Sequence, residues 1–330
     1  MWGVIEPAVP PSVPAAPAPR GRRHTVAAAG AALLLAASCG LTSGCATAGQ
    51  ASPPRGEAAV RATAAPTAAD DEKAARTPSN TLMRSAGSPM TVIAHRGASS
   101  AAPENTLISD EVARRGGARW IENDVQPSRD GVPYVLHDTT VDRTTDGTGP
   151  IRALTAAQLD ALDAGSWFAP AYTGARVPTL AAQLEDLRVR GGNLLLEIKG
   201  RHSREEVARI VRLVRDHGMT DRVFVQSFDV DALRHTRALA PELPLGLLRS
   251  RLDPDPVAVA EELGLSAYNP AAGALATDPD VVKELHAAGI ALMVWTVDSP
   301  ARWKELDALG ADAVITNRPA EMTGWNAARP

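Results

Sequence analysis

Residues 120–126 read "WIENDVQ" and combine an apolar run with two acidic side chains. Its aromatic and β-branched residues are typical of a buried β-strand. Glu122 and Asp124 are two residues apart, so on a strand they share one face, whereas Asn123 lies on the opposite face. Because an unpaired buried carboxylate is costly, a strand that directs two of them to one side predicts a positive partner there.

The composition of the chain is uneven and places the folded part after residue 90. Residues 1–90 are rich in alanine, proline, threonine and glycine, and the aromatic and β-branched residues concentrate from Thr91 onward. The remaining stretch has the size of one α/β barrel, about 250 residues. The net charge of −4 and the lack of a basic stripe with interleaved aromatic residues argue against nucleic acid as a partner.

Short apolar runs alternate with amphipathic stretches along the folded part. The predicted strands are 91–97, 120–126, 193–199, 222–228, 243–248, 266–269, 291–297 and 312–319, with helices between them, for example near 105–116 and 203–217. A further run, 133–138, follows after a short turn and is predicted to form a hairpin with 120–126. Eight strands separated by helices predict an α/β fold, a (β/α)8 TIM barrel, with a small polar and irregular insertion at about 139–180. The alternative is an open doubly wound sheet, which the lack of a glycine-rich nucleotide fingerprint disfavours.

Polar side chains recur where the predicted strands end, which is the end of a barrel where active sites are built. They are His95, Arg96, Glu122, Asp124, Glu197, Lys199, Gln226 and Trp295. We expect these side chains to lie close together.

Three of these residues predict a metal site. Glu122, Asp124 and Glu197 would converge, and oxygen ligands of this kind suit a hard divalent cation, Ca²⁺ or Mg²⁺. The alternative is that the three acids are only ion-paired to Arg96 and Lys199, without a metal.

Two histidines, His95 and His137, are predicted at the same end of the barrel and form a plausible general acid and base. Arg96 and Lys199 supply fixed positive charge for an anion. A metal, two cationic side chains and two imidazoles suit phosphoryl transfer or the cleavage of a phosphodiester.

Six segments resemble the glycerophosphodiester phosphodiesterase family, over about 92–319. They are "IAHRGASSAAPENTL" (93–107), "IENDVQPSRDGVPYVLHDTTVDRTTDGTG" (121–149), "LLLEIK" (194–199), "VFVQSFD" (223–229), "VWTVD" (294–298) and "VITNRP" (314–319). The resemblance implies a TIM-barrel domain, which we assign to residues 91–322. One departure is Asn317, where the family often has aspartate.

The resemblance also implies a role for each candidate residue. The implied metal ligands are Glu122, Asp124 and Glu197, the acid–base pair is His95 and His137, and the phosphate contacts are Arg96 and Lys199. Glu104, in "PENT", is expected to support the site, and Gln226 to contact the substrate. Trp295 either packs against the glycerol side of the substrate or is a core tryptophan.

The activity expected from this resemblance is metal-dependent hydrolysis of a small-molecule glycerophosphodiester to sn-glycerol 3-phosphate and an alcohol. The order in which the two histidines act stays open. One alternative is a lysophospholipid-cleaving, phospholipase D-like enzyme of the same fold, for which Trp167, Phe168 and Tyr172 would provide an apolar groove. A second is a non-catalytic, surface-tethered binding protein, which the complete set of acid, base and ligand residues disfavours.

The first 45 residues predict an export signal. Arg20, Arg22 and Arg23 precede the apolar run 27–37, which is too short to span a bilayer as a stable anchor. "TSGC", ending at Cys45, resembles a bacterial lipobox, although Thr42 stands at an unfavourable position, and Cys39 is a weaker candidate. The alternative is a stray apolar segment in a disordered tail.

These features predict a cell-surface lipoprotein or a secreted protein. Residues 46–90 are expected to form a flexible tether, and membrane contact is expected only through a lipid anchor at Cys45.

Overall fold

The computed structural model describes residues 82–85 and 87–329. The predicted export signal and residues 46–81 of the predicted tether lie outside this range. The strands are β1 (Thr91–His95), β2 (Trp120–Pro127), β3 (Pro133–Val135), β4 (Asn193–Ile198), β5 (Val223–Ser227), β6 (Leu245–Arg249), β7 (Ala267–Pro270), β8 (Ala291–Val294) and β9 (Ala313–Thr316). The α-helices are α1 (Leu107–Arg115), α2 (Ala156–Asp160), α3 (Leu180–Arg190), α4 (Arg204–Asp216), α5 (Val230–Leu239), α6 (Pro256–Leu263), α7 (Val281–Ala287), α8 (Pro300–Leu309) and α9 (Pro319–Ala327).

The described strands form a closed parallel barrel. The hydrogen-bonded order is β1-β9-β8-β7-β6-β5-β4-β2, and β1 also pairs with β2, which closes the sheet. β3 pairs antiparallel with β2, with Val125 opposite Val135. The eight-stranded (β/α)8 barrel and the hairpin are therefore confirmed, and the closure excludes the open sheet.

Alternation along the strands separates the apolar core from the polar site. Ile121 and Val125 on β2 belong to the large buried apolar cluster that also contains the inward faces of the helices. Glu122 and Asp124 lie on the other face of β2. The register sets Asp124 beside Glu197 of β4 and sets His95 of β1 beside Glu122. Side chains far apart in sequence are thus brought to one end of the barrel.

The folded part extends beyond both predicted bounds of 91 and 322. Leu82, 1% exposed, packs in an apolar cluster with side chains from the barrel interior, such as Ile93 and Met293. The backbone N–H of Arg84 donates to Asp312 Oδ1 at 2.8 Å, just before β9 begins. Residues 82–85 and 87–90 therefore pack at the amino-terminal end of the barrel, so the predicted tether is too long there, and α9 continues to Ala327.

The insertion between β3 and α3 has a small apolar core of its own, which the prediction of an irregular polar segment missed. Val141, Ile151, Leu159 and Val177 pack there with Tyr134 of the hairpin. Their spacing follows neither the helical nor the strand period, so no periodic signal revealed them. Across residues 82–85 and 87–329, none of the helices combines the length and apolarity needed to cross a membrane.

Candidate active site

Three buried carboxylates meet at the carboxyl-terminal end of the barrel. Glu122, Asp124 and Glu197 are 1%, 1% and 5% exposed. One oxygen of each lies within 4.8 Å of the others. The sequence prediction that these three side chains converge is confirmed, and the group can hold a metal ion.

The two nearby cationic side chains both bind Asp124. Lys199 Nζ lies 3.2 Å from Asp124 Oδ1, and Arg96 Nε lies 3.4 Å from Oδ2. Asn105 Nδ2 also donates to Asp124 Oδ2 at 2.9 Å. Burial opposes ionisation, but Lys199 and Arg96 prevail and lower the pKa of Asp124 to about 2.

The negative charges of ionised Glu122 and Glu197 would be less well compensated by nearby cations than the charge of Asp124. In the described part of the chain Glu122 has no ion-pair partner and accepts hydrogen bonds from the Arg96 backbone N–H (3.1 Å) and Gln226 Nε2 (3.4 Å). Burial and the neighbouring Asp124 and Glu197 raise the pKa of Glu122 well above its usual range. Burial and Asp124 raise the pKa of Glu197 to about 7, although Lys199 lies 2.9 Å away.

The metal-free alternative therefore accounts for Asp124 and for the Lys199–Glu197 pair, but among the described residues it gives Glu122 no cationic partner. If all three acids were ionised, they would carry one negative charge more than Lys199 and Arg96 compensate, and the ligand atoms that they offer are all oxygens. This donor set fits a hard divalent cation.

The loop that connects β1 to α1 adopts a strained backbone around the site. Arg96 and Asn105 have positive φ angles of 56° and 57°, a region that non-glycine residues rarely adopt. Gly97 is required because a Cβ there would lie 2.4 Å from Ser109 Oγ. This turn directs the Arg96 N–H at Glu122 and its guanidinium at Asp124.

His95 is held in one tautomer by an amide. Its Nδ1 lies 2.7 Å from Asn317 Oδ1, and Asn317 Nδ2 donates to Asp298 Oδ2 at 2.6 Å, which fixes the amide with its oxygen toward the imidazole. The ring nitrogen Nδ1 therefore carries the proton, and Nε2 keeps its lone pair. Burial and the neighbouring Arg96 lower the pKa of His95 to about 4, so the imidazole is neutral at pH 7.

His137 has a carboxylate partner instead. Its Nδ1 lies 2.7 Å from Asp138 Oδ1, and Asp138 is also bound by Arg143. Hydrogen bonds from Arg143 and His137 lower the pKa of Asp138 far below its usual range. Asp138 therefore links the His137 imidazole to the guanidinium of Arg143.

Both histidines open onto one cavity of about 200 Å³. Its lining comprises His95, Arg96, Glu122, His137, Glu197, Lys199, Gln226, Phe228, Leu248, Trp295, Thr296 and Ile315. Trp295 and Phe228 meet edge to face with ring centres 5.3 Å apart, and Trp295 Nε1 donates to the Asn269 carbonyl at 2.7 Å. Trp295 is thus a half-buried wall of the cavity rather than a core side chain.

The predicted site residues thus lie together, with two of them in supporting positions. Gln226 lines the cavity and also orients Glu122. Glu104 is outside the lining and binds Arg96 Nη1 at 2.8 Å. Sequence reasoning missed Phe228, Asp298 and Arg143. Phe228 follows the end of β5 and carried the same positional signal as Gln226, whereas the other two lie in loops.

A TIM barrel with a buried acidic triad, two imidazoles and fixed cations around one cavity is the arrangement expected of a hydrolase that acts on anionic substrates. Residues 95–321 match the model of the glycerophosphoryl diester phosphodiesterase family, and the chain belongs to that family.

Two similar proteins that carry the name of this family support the assignment. The chain is 34% identical over 235 residues to the glycerophosphodiester phosphodiesterase of Caldanaerobacter subterraneus subsp. tengcongensis, covering 70% of this chain and 95% of the relative. It is 33% identical over 244 residues to the glycerophosphodiester phosphodiesterase of Bacillus subtilis (strain 168), covering 69% and 83%.

A solved structure shows the same fold. The Oleispira antarctica phosphodiesterase in complex with the product sn-glycerol-3-phosphate superposes with a TM-score of 0.70 at 33% identity. The match covers 73% of this chain and 97% of that one.

Proposed function

We propose that this protein is a glycerophosphodiester phosphodiesterase that hydrolyses its substrate to sn-glycerol 3-phosphate and an alcohol. The observation that carries the proposal is one cavity lined by two metal-ligand candidates, both imidazoles, Arg96 and Lys199. Its volume of about 200 Å³ suits a glycerophosphoryl group rather than a long acyl chain. Family membership supports the same substrate class.

The acidic triad supports a requirement for one divalent cation. Glu122, Asp124 and Glu197 would hold Ca²⁺ or Mg²⁺, because both ions take carboxylate oxygens as ligands. When bound, the ion supplies positive charge for the phosphoryl oxygens and for the glycerol hydroxyl. The residues around it carry out the proton transfers and hold the substrate.

The tautomer of His95 suggests an order for the two histidines. Neutral His95, with a free lone pair on Nε2, accepts the proton of the glycerol 2-hydroxyl as that oxygen attacks phosphorus. His137, paired with ionised Asp138, gives its proton to the leaving alcohol oxygen as the P–O bond breaks. Arg96 and Lys199 stabilise the negative charge that develops on the phosphoryl oxygens.

The second half of the reaction runs with the histidine roles reversed. His137, now neutral, accepts a proton from water, and the water oxygen attacks the cyclic phosphodiester. His95 returns its proton to the glycerol 2-oxygen, which is released from phosphorus. Both histidines are then restored to their starting states.

The test is hydrolysis of glycerophosphocholine by the full chain, with lysophosphatidylcholine as the competing substrate. We expect release of sn-glycerol 3-phosphate from glycerophosphocholine, its loss in EDTA, and its return on addition of Ca²⁺ or Mg²⁺. Faster cleavage of lysophosphatidylcholine would favour the lysophospholipid-cleaving alternative. Binding without turnover of either substrate would favour the non-catalytic one.

We also propose export of the protein, with a lipid anchor at Cys45 as the form that the lipobox-like sequence favours. Replacing Cys45 by serine should then move the protein from the membrane fraction to the medium or the soluble fraction. An unchanged distribution would contradict the anchor at this cysteine.

A further inference from the structure

Arg143 lies on the insertion, next to the catalytic cavity but outside its lining. Its guanidinium donates to both oxygens of Glu104, at 2.9 and 2.8 Å, and to both oxygens of Asp138, at 2.6 and 3.1 Å. A planar guanidinium that binds two carboxylates through two hydrogen bonds each is held in a single orientation. The two carboxylates are therefore fixed relative to each other.

Each of these carboxylates holds a residue of the cavity. Asp138 Oδ1 lies 2.7 Å from His137 Nδ1, and Glu104 Oε1 accepts a hydrogen bond from Arg96 Nη1 at 2.8 Å. His137 and Arg96 come from different parts of the barrel, and Arg143 connects their supports. Without Arg143, each carboxylate would lose two hydrogen bonds and keep only its contact with His137 or with Arg96.

We propose that Arg143 is a positioning residue of the reaction, acting on His137 through Asp138 and on Arg96 through Glu104. It also compensates the charge of two carboxylates that would otherwise repel an anionic phosphodiester at the mouth of the site. The insertion thereby contributes directly to the geometry of the catalytic groups. This inference rests on the proposed function.

Arg152 is a matched control on the same insertion. The Arg152 side chain is 44% exposed, against 45% for Arg143, and it also forms an ion pair, with Glu206 at 2.7 Å. Its second partner is the carbonyl of Arg201. Neither partner lines the cavity, so Arg152→Ala removes comparable surface interactions without touching the support of His137 or Arg96.

The test compares Arg143→Ala, Arg143→Lys and Arg152→Ala in the full chain, with glycerophosphocholine as substrate. We expect kcat to fall about 10- to 100-fold in Arg143→Ala, as is typical when a supporting partner is removed, and to stay within about twofold in Arg152→Ala. Arg143→Lys should recover only part of the rate, because one ammonium group cannot bind two carboxylates through paired hydrogen bonds. Equal melting temperatures for the two alanine variants would show that the loss is not one of folding.

Chemical rescue separates positioning from a purely structural role. Guanidinium ions at millimolar concentration should restore part of the kcat of Arg143→Ala and leave Arg152→Ala unchanged. The inference is overturned if Arg143→Ala keeps kcat within about twofold of an active wild type, or if its lost activity does not respond to guanidinium. A wild type without hydrolase activity would instead overturn the proposed function, and this inference with it.

Discussion

At the residue scale, the two histidines differ in their partners although they face the same cavity. His95 is bound by a neutral amide and His137 by a carboxylate, so the two imidazoles lie in different environments before substrate binds. Two titratable groups held in different environments can serve as base and acid in the same step. The sequence alone indicated the pair but not the difference, because Asn317 and Asp298 come from loops after β9 and β8.

Removing the imidazole of His95 or of His137 should remove one of the two proton-transfer groups and leave the three carboxylates of the acidic triad in place. For His95→Ala and His137→Ala we expect kcat to fall roughly 10²- to 10⁴-fold, the usual contribution of general acid–base catalysis. Binding of Ca²⁺ or Mg²⁺, measured by calorimetry, should change little. His235→Ala, on α5, is the control and should keep the wild-type rate, whereas full activity in either site variant would refute the assignment.

Asp110 is a buried acid outside the active site, and it accounts for Asn123, the polar residue on the outer face of β2. Asn123 Nδ2 and Gln183 Nε2 both donate to the Asp110 carboxylate, the latter at 3.0 Å. Burial raises the pKa of Asp110 from 3.8 to about 6. An acid whose pKa is raised in the folded state favours folding below about pH 4, and this contribution is lost as the pH rises through 6.

Replacing Asp110 by asparagine should therefore change how stability depends on pH. A rise in pKa from 3.8 to about 6 corresponds to about 3 kcal/mol, which the wild type loses between pH 4 and pH 8 and the variant does not. Urea unfolding of both proteins at these two pH values gives the comparison. A difference in unfolding free energy that stays constant with pH would contradict this account.

At the element scale, the strands were predictable and the segments around them were not. The predicted strands 120–126 and 193–199 match β2 and β4 to within one residue at each end, because continuous apolar runs bounded by turns are a strong signal. The insertion core and the segment around Leu82 lacked such a signal. Their apolar residues are irregularly spaced, and only the closed barrel provides the surface on which Leu82 packs.

The segment that contains Leu82 and Arg84 should contribute to stability but not to catalysis, since these residues lie at the end of the barrel opposite the cavity. Leu82→Ala is expected to lower the unfolding free energy by roughly 2–4 kcal/mol, the usual cost of emptying a buried leucine site. Leu309→Ala, at a position 37% exposed, is the matched control and should cost less than about 1 kcal/mol. Denaturant unfolding measures both, and a large loss of kcat in Leu82→Ala would contradict the separation.

At the scale of the whole molecule, the barrel brings together carboxylates that are 73 residues apart in sequence, Asp124 and Glu197, as neighbours on β2 and β4. Their convergence was predictable because parallel strands end at the same side of a barrel. The protonation states of the three acids were not predictable, because they depend on where the loops place Arg96 and Lys199. Both cations bind Asp124, whereas burial and the neighbouring acids raise the pKa values of Glu122 and Glu197.

Calorimetric titration of the full chain with Ca²⁺ or Mg²⁺ tests the metal site most directly. We predict one ion per chain, bound with release of protons and more tightly as the pH rises through 7, because Glu197 and Glu122 must ionise to bind it. Titration in two buffers of different ionisation enthalpy counts the protons, and Glu197→Gln should weaken binding at least about tenfold. A wild type that binds neither ion, or a variant that binds as tightly as the wild type, would contradict the metal site.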